Sequence, residues 1–121
     1  MNLIKITVKR TNEVLGEKIR TAETFWQRFR GLMMQAGLNE DEGLLIEPCN
    51  SIHMMFMKFP IDAVFLDATN RIKALYSSLR PWIGLSSIHR NAVKVLELKA
   101  GSIKKAGLEI DDILLMEQTK C

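Results

Sequence analysis

The sequence predicts a mainly β, single-domain α+β protein: an antiparallel β-barrel or half-barrel with one main amphipathic helix packed against it. Three observations carry that expectation. Six or seven short apolar or alternating runs are separated by turn chemistry, only one stretch keeps a helical period, and no βαβ alternation or internal repeat is present. At 121 residues the chain is the size of one domain, 1–121, and its 47% hydrophobic and 26% charged content matches a folded globular protein.

Taken in order, Leu3, Ile4, Ile6 and Val8 open a strand, Thr11-Asn12 supplies a turn, and Val14 to Ile19 returns as the hairpin partner. Thr24 followed by Gln27 fits a capping box, and Phe25, Trp26, Phe29, Leu32 and Met33 recur on one helical face, which predicts an amphipathic helix over about 23–34. Gly31 weakens that helix by ~1 kcal/mol, and burial of its large side chains at ~1.5–3 kcal/mol each outweighs the loss. Gly37 is its expected stop. Leu44-Leu45-Ile46 is a strand leading to Pro48. Ile61 to Asp67 is almost wholly apolar between two aspartates, as in a strand covered on both faces, and Asp67-Ala68-Thr69-Asn70 turns it into a second arm at Arg71–Tyr76. Residues 77–91 read as a long loop, Ala92 to Leu98 as a strand, Gly101-Ser102 as the cap of a short helical turn ended by Gly107, and Ile113 to Met116 as the last strand.

The net charge is only +3 and the basic residues are scattered among acids, which disfavours nucleic acid; a sequence pI near 9.0 leaves nucleic acid or an anionic membrane surface as minor alternatives to a merely solvated surface. No apolar run approaches the ~20 residues that span a bilayer, and Met1 to Ile6 lacks the design of a signal peptide, so the expected location is cytoplasmic. In a reducing compartment Cys49 and Cys121 are expected to be free thiols.

The stretch Pro48 to Asp62 concentrates the chemistry of the chain: Cys49, His53, the methionines Met54, Met55 and Met57, and the Lys58/Asp62 pair. Several patches, read together, resemble the bacterial and archaeal family known as domain of unknown function 192. They are Arg30-Gly31-Leu32-Met33, Gly43 to Ile46, Cys49 to His53, Met57 to Asp62, Phe65-Leu66-Asp67, Val95 to Leu98 with Ala100-Gly101, and Gly107-Leu108 ahead of Asp112. The match covers about residues 20–116. The resemblance implies a compact β-rich domain and supplies no reaction. Where that family usually has Gly-Asp before the last strand, this chain has Asp111-Asp112, so a positive φ there would fall on an aspartate.

Three functional classes compete for the same residues. Cys49 with His53 or His89 could form a thiolate–imidazolium pair oriented by Asp62, the requirement for a small hydrolase or transferase, although no phosphate loop, nucleophile elbow or HExxH accompanies it. Cys49, His53 and Met57 offer thiolate, imidazole and thioether donors suited to Cu(I) or Zn(II), but methionine at this density is more often core filling. The third reading is a non-enzymatic module that binds a small ligand or a protein without a cofactor. Its contacts would be Trp82 as the apolar anchor, Lys58 and Arg80 for anions, and His53 and His89 at the rim. The structural alternatives are a His53 bonded to backbone, a local Lys58–Asp62 ion pair, and Trp26, Phe29, Phe56 and Phe65 in the core. The expectation taken forward is the binding module, its surface made by the central stretch and the 77–91 loop, in an oligomeric state the sequence does not specify.

Overall fold

Runs that are apolar at consecutive positions, with no alternation, belong to strands buried on both faces, and here they form the middle of one sheet. The computed structural model describes residues 2–24, 27, 35–54 and 57–119. Among these the elements are β1 (Leu3–Val8), β2 (Val14–Ala22), β3 (Glu42–Ile46), β4 (Ile61–Leu66), β5 (Ile72–Leu79), β6 (Lys94–Lys99), α1 (Ser102–Ala106) and β7 (Leu114–Gln118). The sheet has seven strands in the order β5-β4-β6-β3-β2-β1-β7. Its pairs are antiparallel except β2 with β3, which run parallel.

The two outer strands meet at one end, which curls the sheet into a half-barrel. Arg71 bridges Ile113, Ile72 N–H donates to Asp112 O at 2.8 Å, and Leu114 N–H donates to Asn70 O at 2.9 Å. Successive side chains then fall into two separate cores. Val64, Leu66, Leu96, Leu98 and Leu45 face the inside of the curl with Ile6, Ile19, Ile72, Leu114 and Ile103 of α1. Ala63, Phe65, Val95, Leu44 and Ile46 point the other way, where Ile52, Met54, Met57 and Ala92 cover them. β4 is buried at every position, as its apolar run predicted.

Of the helix expected over 23–34, residues 25, 26 and 28–34 lie outside the described residues, Trp26 and Phe29 among them, as does Phe56, but the box at its start is formed. Gln27 Oε1 accepts from Glu23 and Thr24 N–H at 3.0 and 3.3 Å, and Thr24 Oγ1 accepts from Gln27 N–H at 3.2 Å. The Asp67–Asn70 turn is built as its residue types require. Asp67 Oδ1 accepts from the Thr69 hydroxyl at 2.7 Å, Thr69 N–H at 2.8 Å and Arg71 N–H at 3.0 Å. The Thr69 hydroxyl, then these amides and Lys73, hold the Asp67 carboxyl down to about 2.

The helical turn α1 stands where expected, between Gly101 and Gly107, and differs only in that Ser102 does not cap it. Gly101 occupies the N-cap at φ 98° with no side-chain cap of its own, and the Ser102 hydroxyl donates backwards to Lys99 O at 2.6 Å. Its first N–H groups are satisfied instead from β4, by Asp62. Before the last strand, Asp111 does carry a positive φ, at 75°. Glycine there should raise stability by less than about 1 kcal/mol and alanine should lower it by about 1 kcal/mol, because aspartate tolerates the left-handed region better than alanine does. Urea melts of Asp111→Gly and Asp111→Ala check the order glycine, aspartate, alanine.

Candidate functional site

The central stretch and the long loop lie side by side and bond to each other. Cys49 N–H donates to Val93 O at 2.9 Å, His89 N–H to Asn50 O at 2.8 Å, Ser86 N–H to Ile52 O at 2.9 Å, Met54 N–H to Gly84 O at 2.8 Å and Trp82 N–H to Met54 O at 2.8 Å, with His53 bridging Leu85. The buried Ser86 hydroxyl locks the pair by accepting from Ile52 N–H at 2.9 Å. In such an extended ribbon alternate residues face opposite ways. Ile52, Met54 and Ser86 are buried against the sheet, while His53 and Leu85 are exposed. Gly84 is required here, since a Cβ would lie 2.8 Å from Arg80 O and 2.9 Å from Met54 Cγ.

Four large apolar side chains of this one loop face solvent: Trp82 at 56%, Ile83 at 69%, Leu85 at 69% and Ile88 at 67% exposure. Of the residues expected to bind, His53, Lys58, Arg80 and Trp82 are all exposed, and His53 and Trp82 sit within the ribbon. His89 is placed differently. It is half-buried, its Nε2 is 2.7 Å from the Tyr76 hydroxyl, and its ring lies 4.7 Å from that of Phe65, which makes it a pin between ribbon and sheet. Sequence reasoning missed Ile83, Leu85 and Ile88. The available signal was large aliphatics inside a stretch rich in proline, glycine and serine, where a core strand is not expected.

Asp62 requires a correction. It is fully buried, its Oδ1 accepting from Ser78 N–H at 2.8 Å and its Oδ2 from Gly101 N–H at 3.1 Å and Ile103 N–H at 2.9 Å. The carboxylate therefore orients neither histidine, and the expected Lys58–Asp62 ion pair is not formed, because both oxygens are spent on backbone of β5 and α1. Cys49 is half-buried beside a pocket of about 300 Å³ lined by Pro48, Asn50, Ala92 and Val93, and its Sγ donates to Ser51 O at 3.1 Å. Met57 is in the second core. Cys49 and His53 stand four apart with a bend at Asn50 between them, and His53 is engaged with Leu85 while the Cys49 thiol is turned onto Ser51 O. Among the described residues no three His, Cys, Asp or Glu side chains gather as a metal site would need.

Comparison with known proteins places this geometry in a family. The model of domain of unknown function 192, DUF192, described as "Uncharacterized ACR", matches residues 6–116. The chain belongs to the DUF192 family. It is 31% identical over 109 residues to a UPF0127 protein of Thermococcus sibiricus, covering 86% of this chain and 69% of that one. To a UPF0127 protein of Thermococcus kodakarensis it is 30% identical over 118 residues, covering 90% of this chain and 73% of the relative. A solved structure from Novosphingobium aromaticivorans, a protein of unknown function, superposes with a TM-score of 0.80 at 20% identity, covering 93% of this chain and 82% of that one. That likeness concerns the fold alone.

This DUF192 chain also carries a buried charge that the sequence reading passed over. Glu97 lies in the middle of β6, paired with Leu44 of β3 and Ala63 of β4, and Ala63 pairs in turn with Tyr76 of β5. It is 7% exposed and has no hydrogen bond or ion pair with the described residues, and burial pushes its carboxyl up to about 7. Glu97 is on the same face as Phe65, Tyr76 and the ribbon, and so belongs to the layer beneath the candidate site. Among the described residues no helix is long and apolar enough to cross a membrane.

Proposed function

We propose that this chain is a non-enzymatic binding module whose contact surface is the ribbon formed by residues 49–54 and 82–93. The observation that carries the reading is the group of four exposed apolar side chains, Trp82, Ile83, Leu85 and Ile88, on one rigidly bonded loop. Burying large apolar side chains against solvent gains ~1.5–3 kcal/mol each, so a chain that holds four of them outward leaves that gain to be collected by a partner. Trp82 supplies the anchor, His53 a polar contact beside Leu85, and Arg80 and Lys58 the charge at the edge. Engagement of Asp62 by three backbone amides supports binding over nucleophilic chemistry, since the proposed Cys49–His53 pair then lacks its orienting carboxylate.

The test is selection of displayed peptides on the immobilised protein, followed by amide NMR mapping of those enriched. Enriched peptides should perturb residues 53 and 82–88, and Leu85→Ser with Ile88→Ser should abolish their enrichment while circular dichroism stays unchanged. Cys49→Ala should leave it intact. Mapping to another surface, or enrichment indifferent to the double variant, would refute the reading.

A further inference from the structure

We infer that the occupant of this ribbon is an anionic lipid surface, which the loop enters with its apolar side chains while flanking cations meet the headgroups. The inference rests on the ribbon being the contact surface and adds the chemistry of what it contacts. Residues 48–61 and 77–94, which contain the whole ribbon and its flanks, include Lys58, Arg80, Arg90 and Lys94 and not one aspartate or glutamate. Lys58, Arg80 and Arg90 are exposed. The rest of the chain mixes the two signs: Lys5 lies by Glu17, Arg10 by Glu109 and Asp112, Lys73 by Asp67 and Asp111, and Lys105 by Glu40. The acid-free segments therefore include the loop on which Trp82, Ile83, Leu85 and Ile88 are exposed, while Val14, Ile110 and Leu115 are exposed elsewhere. Segments that expose Trp, Ile and Leu and carry cations but no acid of their own match the composition by which loops and helices settle at the boundary of headgroups and acyl chains.

Charge complementarity decides among occupants. A second copy of the chain would set cations against cations. A neutral apolar peptide would use the four side chains and leave the basic border unexplained. An anionic bilayer satisfies both features at once, with tryptophan at the interface where its ring is favoured. Trp82 and Leu85 come from a loop held down by backbone bonds from Trp82 N–H to Met54 O, Met54 N–H to Gly84 O and Ser86 N–H to Ile52 O, with Leu85 bridged to His53.

The experiment is sedimentation of the intact chain with vesicles of phosphatidylcholine alone, and with vesicles containing about one third phosphatidylglycerol. Binding is expected only to the anionic vesicles, weakening as salt is raised. The combined variant Lys58→Gln, Arg80→Gln, Arg90→Gln should lose on the order of a hundredfold in partitioning, and Leu85→Ser with Ile88→Ser at least about tenfold. Both variants change exposed side chains, and unchanged melting curves will show that they fold. Absence of binding to anionic vesicles, or binding that neither variant reduces, overturns the inference. Peptides mapping to the ribbon without vesicle binding would overturn the lipid assignment and leave the contact surface standing. If the ribbon variants alter neither assay, both readings fall.

Discussion

Replacing Asp62 by alanine is expected to cost about 4 kcal/mol, a large share of the ~5–15 kcal/mol that holds a domain folded. Three N–H groups, from Ser78, Gly101 and Ile103, would lose their acceptor at once; the bond from Ile103 is buried and the other two are part-buried. Each orphaned buried donor costs ~1–3 kcal/mol, and the bonds lost are charge-assisted. The asparagine variant is more discriminating. It keeps the shape but turns an NH₂ toward either Ser78 N–H or the Gly101 and Ile103 pair, setting donor against donor. Asp62→Asn should therefore also lose about 2–3 kcal/mol, read as a fall of roughly 10 °C in Tm for a chain of this size. An Asp62→Asn protein that melted within a degree of the parent would sink the structural role and return Asp62 to the list of chemical candidates.

Asp62 also shows where sequence reading succeeds and where it stops. The strands were legible because their signals are local: alternation in β1, an unbroken apolar run in β4, Asp67 and Asn70 in the turn, Thr24 and Gln27 in the capping box. Even the positive φ at Asp111 followed from the residue standing where the family has glycine. The partner of Asp62 was not legible. It sits some forty residues away in sequence, at a helix N-terminus that its own Ser102 does not cap, and Lys58 four residues away is the nearer candidate by any local rule. The candidate site divides the same way. Trp82 was visible as an aromatic among Pro81 and Gly84, but Leu85 becomes outward-facing only once the loop is paired with the central stretch, because its bridge to His53 turns Gly84 and Ser86 toward the sheet and Leu85 away from it. His89 was assigned to the rim, and its partner, Tyr76, is on β5.

Glu97→Gln is expected to stabilise the protein at pH 8 and to leave it unchanged near pH 4. Burial raises the Glu97 carboxyl from 4.5 to about 7, so between those values the native chain keeps a proton that the unfolded chain has released. Any stability Glu97 allows is thus fully present below about 4.5, declines as pH rises through 7 and is lost above it, by on the order of 3 kcal/mol. Glutamine has nothing to ionise, so the variant should gain about 2–3 kcal/mol over the parent at pH 8. The acid limb should be common to both proteins. Asp67, held down to about 2 chiefly by the Thr69 hydroxyl, and Asp112, held below its ordinary range by Arg10, contribute stability above the unfolded carboxylate pKa that is lost as pH falls toward their folded values. The parent should accordingly be most stable near pH 4 to 5, and Glu97→Gln should extend that plateau through neutrality. Urea melts across pH, with the Glu97 carboxyl followed by carbon NMR, separate this from an ordinary surface glutamate, for which the two stability curves would run parallel. The position gives the measurement a further use. Glu97 shares its sheet face with Tyr76, whose hydroxyl contacts His89 and accepts from Ser87 N–H at 3.2 Å, so the buried layer is bonded to the ribbon through these residues. Ionising Glu97 near neutral pH strains the support of that contact surface, and amide exchange at residues 86–89 should therefore quicken between pH 6 and 8, after correction for intrinsic rates, in the parent and not in Glu97→Gln.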